Sequence, residues 1–170
     1  MKTKIILFAI IIISSSCLMT KNKIITDKRT QRKELIGTCT RTGFQKNEFN
    51  SWFEKEYSEY KPNVKNVNKL KDVSLFKNVT ITIIFGTWCG DSRRELPRFY
   101  KLVDEAGIPE NIIRLTAVDT KKSSHDKNLE GIKFTRIPTF IFYRNGKEIG
   151  RIVESTDESL EKDILKILTK

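Results

Sequence analysis

Cysteine and histidine are scarce in this chain of 170 residues, with three of the first and one of the second. Metal sites need several such ligands converging. His125 stands alone in Ser123-Ser124-His125-Asp126, so it reads as a solvated loop residue, and no bound metal is expected. A disulfide scaffold is equally out of reach, because small scaffolds of that kind are dense in cysteine. There is no glycine-rich phosphate loop, no Ser-His-Asp set and no pair of catalytic carboxylates, so no cofactor is expected either. The chain carries no second long apolar run after its first residues, and no membrane-spanning helix is expected in the mature protein. With four prolines, eight glycines, 31% charged and 38% hydrophobic residues, the composition suits one globular core. The net charge is +11, but the lysines are scattered and no nucleic-acid motif accompanies them. A nucleic-acid partner is therefore not expected, whereas a general attraction to anionic membranes fits.

What is present begins at the N-terminus. Lys2 and Lys4 precede an apolar run over 5–13, followed by Ser14-Ser15-Ser16-Cys17. A charged start, a short apolar centre and small residues describe an export signal over 1–17. Cys17 stands where a bacterial lipoprotein signal places its acylated cysteine, although Ser14 occupies a position that usually holds leucine. The competing reading is an ordinary signal peptide with an incidental cysteine. Lipidation at Cys17 would hold the protein on a membrane leaflet in the cell envelope, facing the periplasm or the outside, without spanning the bilayer. Residues 18–35 are polar and basic and read as a tether, with a strand or helix around Ile24-Ile25 as the alternative. The domain proper is then 36–170. The sequence leaves its oligomeric state open.

Within that domain, Phe49, Trp52, Phe53, Tyr57 and Tyr60 recur at helical spacing, which predicts a helix over 47–60 with an aromatic core face. A second, weaker helical region covers 64–76. Residues 79–85, Val-Thr-Ile-Thr-Ile-Ile-Phe, predict a buried strand. A helix follows over 91–106, then a strand over 112–118 and a polar loop with a short helix over 119–133. Two strands, 139–143 and 148–153, flank Asn145-Gly146, a hairpin signal because both residues tolerate positive φ. A last helix carries Leu160, Ile164 and Leu168 on one face, with Ser155 or Thr156 as its cap. The order is an α/β arrangement: a mixed central sheet flanked by helices, with a helical extension on its N-terminal side.

The junction between the strand over 79–85 and its helix reads Trp88-Cys89-Gly90-Asp91-Ser92. Pro97 lies eight residues beyond Cys89, and Ile137-Pro138 precedes the hairpin strands. Together with Gly146 and Gly150, these features resemble the thioredoxin superfamily over residues 79–168, most nearly its exported bacterial members. The resemblance implies a thioredoxin-like fold and a nucleophilic Cys89 at a helix N-terminus. It also implies a Trp88 that shields the sulfur, and a cis-proline loop at Ile137-Pro138 that offers its backbone to an extended substrate. Helix-terminal placement favours the thiolate on physical grounds. The alternative for Cys89 is a buried structural thiol.

Two departures from that family matter. Its second motif cysteine is Ser92 here, which cannot resolve a mixed disulfide though it can donate a hydrogen bond to Cys89. Its buried carboxylate, six residues ahead of the first cysteine, is Ile83 here. Three readings stay open. Cys89 works as a monothiol in exchange or isomerisation, on protein or small-molecule thiols and disulfides. Or Cys39 serves as the resolving thiol, against its reading as a small buried hydrophobe. Or the domain is a non-catalytic binding or scaffold module.

Overall fold

The computed structural model describes residues 21–124 and 127–170. The expected export signal over 1–17, with Cys17, and the expected loop residue His125 lie outside the described residues. Six strands form one sheet in the order β1-β2-β4-β3-β5-β6. They are β1 (Lys23–Thr26), β2 (Lys33–Cys39), β3 (Val79–Phe85), β4 (Ile113–Ala117), β5 (Thr139–Arg144) and β6 (Lys147–Val153). Four helices join them: α1 (Asn47–Glu59), α2 (Val64–Leu70), α3 (Gly90–Ala106) and α4 (Leu160–Leu168). No helix among the described residues is long and apolar enough to cross a membrane.

The expected tether is corrected at once. Its residues make β1 and open β2, which pair antiparallel with Ile24 facing Leu35 and Ile25 facing Glu34. Two short apolar pairs, Ile24-Ile25 and Leu35-Ile36, suffice for this because Leu35 and Ile36 are buried and β2 runs on to pair with β4 over Gly37, Thr38 and Cys39. The basic residues that suggested a tether lie mostly outside those pairs. The domain therefore starts before residue 36.

The centre follows the sequence closely. β3 lies between β4, which it pairs in parallel, and β5, which it pairs antiparallel. Its apolar residues Ile81, Ile83, Ile84 and Phe85 are all buried. α3 connects β3 to β4 and ends on Gly107 at φ 69°, a left-handed cap that glycine adopts without strain. The β5–β6 turn has positive φ at both Asn145 and Gly146, the geometry that matches strand twist. The 64–76 region divides into α2 and a 3₁₀ turn at Val73–Phe76. The last helix is capped by Ser159, whose Oγ accepts the Lys162 N–H, and not by Ser155 or Thr156. Ser155 is instead held by a turn, its N–H donating to the Val153 carbonyl at 2.8 Å.

The aromatic face of α1 is core, as expected. Phe49 and Phe53 are buried, and Phe53 stacks on Phe44 with ring centres 5.1 Å apart. This side of the sheet carries the larger core, with Phe85, Phe99 and Phe140 at its centre. A smaller cluster of Ile84, Val118, Ile137 and Ile141 lies apart from it, and Trp88, Cys89 and Phe134 pack against that cluster. The candidate site is built where this second cluster meets the end of β3.

Candidate active site

Gly86, Thr87 and Trp88 carry the chain from β3 into α3, and Cys89 is the helix N-cap. The turn is closed by the Cys89 N–H donating to the Gly86 carbonyl at 3.0 Å. Gly86 is needed for space: a Cβ there would fall 2.6 Å from Trp88 Nε1 and 3.0 Å from an Ile137 methyl. That Trp88 nitrogen donates to the Val118 carbonyl at 2.9 Å, pinning the ring beside the sulfur.

Cys89 is partly exposed, and its Sγ lies 3.5 Å from the Ile137 carbonyl, to which the thiol donates. The Ile137–Pro138 peptide is cis. The structure thus brings together Cys89, Trp88, Ile137 and Pro138, four residues that are spread over some fifty positions of sequence. The sulfur sits at the positive end of the α3 dipole, where first-turn N–H groups have no partner within the helix.

Ser92 takes a different part from the one expected. It is 1% exposed, and its Oγ accepts the Gly86 N–H at 3.2 Å. Among the described residues no hydrogen bond joins it to Cys89. Its hydroxyl closes the turn that presents the sulfur.

Of the two neighbouring arginines, Arg94 is occupied by Asp91 at 2.9 Å and Glu95 at 2.7 Å. Arg93 reaches back under the turn, where its Nε donates to the Thr87 carbonyl at 2.6 Å and its guanidinium lies over the Trp52 ring. Burial and the nearby Arg32 lower its proton affinity, while the Cys89 and Glu34 charges oppose that effect.

Cys39 is buried in the larger core and donates to the Gly37 carbonyl. It is level with Leu115, which is level with Ile83. Two strand spacings, about 9.5 Å, therefore separate it from the β3 axis, and Cys89 lies farther along, beyond the end of that strand. Disulfides need Cα atoms within about 7 Å. A direct Cys39–Cys89 bridge would require the backbone to move, so in this conformation Cys39 is not placed to resolve a disulfide at Cys89.

Sequence reasoning missed two contributors. Thr87 is buried, and its Oγ1 accepts the Leu35 N–H at 3.2 Å, joining β2 to the site. Glu34, the neighbour of Leu35, is a buried carboxyl. The alternation of Glu34 with Leu35 was the available signal, but it was masked by the surrounding lysines and arginines.

Comparison with known proteins places this architecture. A family model described as thioredoxin matches residues 45–162. A thioredoxin-like protein of Acanthamoeba polyphaga mimivirus is 31% identical over 93 residues, 52% of this chain and 62% of that protein. A putative thioredoxin of Dictyostelium discoideum is 34% identical over 98 residues, 54% of this chain and 86% of that protein. Among solved structures, oxidized mitochondrial thioredoxin 3 of Saccharomyces cerevisiae overlays with a TM-score of 0.40 at 23% identity, covering 65% of this chain and 98% of that one.

Proposed function

Because the chain belongs to the thioredoxin family, we propose that it is a thiol–disulfide oxidoreductase working through the single sulfur of Cys89, with an external thiol resolving the intermediate. The observation that carries this reading is the position of that sulfur: partly exposed, at the N-terminus of a 17-residue helix, against the Ile137 carbonyl. The Cys89 thiolate attacks one sulfur of a substrate disulfide. A Cys89–substrate disulfide forms, and the other substrate sulfur leaves as a thiolate that takes a proton from solvent. A second thiol, from the substrate itself in isomerisation or from a small molecule, then attacks the mixed disulfide and releases Cys89. Ser92 cannot perform that second step, since its oxygen is not a partner in exchange and is already engaged by Gly86. The substrate class is protein or small-molecule thiols and disulfides, received between Trp88 and the Ile137-Pro138 loop. The charged, apolar and small-residue order over 1–17 supports exchange in the cell envelope, with the domain held to a membrane by acylation of Cys17.

The test is alkylation and trapping. Cys89 is expected to react with iodoacetamide at pH 6 at least tenfold faster than a free small-molecule thiol, on the order expected for helix-terminal thiolates. Cys89→Ser is expected to abolish exchange, and wild-type protein to yield mixed disulfides in cell envelopes. Unremarkable reactivity, with one stable partner recovered equally by Cys89→Ser, would establish the binding-module reading instead.

A further inference from the structure

Glu34 is 1% exposed, and neither carboxyl oxygen has a hydrogen-bond partner. Among the described residues no other carboxyl is buried with both oxygens in that state. A buried polar group without a partner destabilises a fold, and an ionised one does so more. Such a group on the strand next to the site calls for an explanation.

Its connections run to Cys89. The N–H of the adjoining Leu35 donates to Thr87 Oγ1 at 3.2 Å, and the Thr87 carbonyl accepts Arg93 Nε at 2.6 Å. Arg93, held on that carbonyl, lies near enough to Glu34 and to the Cys89 sulfur for the charge of each to act on it. The other charged groups acting on Glu34 are Asp27 and Arg32 from the β1–β2 connection and Asp119 from the loop after β4. The two aspartates oppose its ionisation, and the two arginines favour it.

We infer that Glu34 is a positioning residue that sets the reactivity of Cys89 through Arg93. Neutral Glu34 leaves the field of Arg93 to the sulfur, and ionised Glu34 draws part of that field away. The inference rests on the proposed reading of Cys89 as the exchanging sulfur. Burial, foremost, keeps the Glu34 proton on above the ordinary carboxyl range. The brake is therefore off at acid pH and engages as pH rises through the Glu34 titration.

The test follows iodoacetamide alkylation of Cys89 from pH 4 to 9 in wild type, Glu34→Gln, Glu34→Asp and Arg93→Gln, with circular dichroism as a folding control. Glu34→Gln should match wild type at acid pH and exceed it above the Glu34 titration. Its half-maximal point should fall by about half a pH unit, roughly a threefold gain in rate on the rising limb. Glu34→Asp, which keeps the charge, should restore a profile close to that of wild type. In an Arg93→Gln background, Glu34→Gln should move nothing. Superposed profiles for folded wild type and Glu34→Gln would overturn the inference, as would a shift that persists without Arg93. Loss of disulfide exchange with the shift intact would instead count against the proposed function, so the two failures are separable.

Discussion

At Ser92 a single hydroxyl decides the shape of the site. It is buried and holds the Gly86 N–H at 3.2 Å, so its removal leaves that amide without a partner in a closed turn. Ser92→Ala should lower unfolding free energy by about 1–3 kcal/mol, measured by urea denaturation, while the Cys89 thiol itself remains. Glu34 bears on stability as well as reactivity. Its folded-state affinity for a proton is raised, first by burial. The folded protein then binds more protons than the unfolded chain over that interval, and stability falls as pH rises through it. Glu34→Gln removes the ionising group. It should be more stable than wild type at pH 8, with the advantage closing as pH falls toward the ordinary carboxyl range. Thermal denaturation of the two proteins across that range reads the difference directly.

Elements show most plainly how far sequence reaches. The strand over 79–85 is legible to the residue because its signals agree: β-branched composition, no breaker inside it and a turn after it. The Asn145-Gly146 hairpin is legible for a similar reason, since positive φ at two successive positions restricts which residues fit. The α1 aromatic face reads as core from spacing alone. β1 and the start of β2 do not, because an edge hairpin of four and seven residues gains its burial from partners remote in the chain, here β4. The Gly86 amide from which Ser92 accepts was not legible, because that contact depends on how the turn before α3 closes. How α1 docks was likewise hidden. Arg41, just ahead of α1, grips Asp104 of α3 with both guanidinium nitrogens, and Tyr57 of α1 donates to the same carboxylate at 2.6 Å. Burial would raise the Asp104 proton affinity, but the bonds from Arg41 and Tyr57 outweigh it and hold the group below its ordinary range. The stabilisation this gives is complete above the unfolded carboxyl range and is lost as pH falls through the folded one. Arg41→Ala should therefore cost about 1 kcal/mol at pH 7, discounted for the exposure of the pair. The pH-dependent part of that cost should disappear as pH falls through the folded-state titration of Asp104, as followed by denaturant titration at several pH values.

Across the whole molecule, the site draws on parts that the sequence holds far apart. The sulfur comes from the start of α3, its facing carbonyl from the loop before β5, and the anchoring threonine contact from β2. The sheet order places β2 two positions from β3, so a change of charge on an outer strand has a short path inward. The hairpin that replaced the expected tether also fixes how the domain would ride on a membrane. The chain enters the sheet at Asn22, whose N–H donates to the Thr38 carbonyl and whose side chain bonds Thr40, at the end of β2 remote from Cys89. With an acyl group on Cys17, the five residues 18–22 would separate it from the first strand, a leash of at most about 20 Å. So short a mooring would keep the domain close to the headgroups, and with the attachment at the end of β2 remote from Cys89 it would favour partners arriving from the aqueous side over those embedded in the same leaflet.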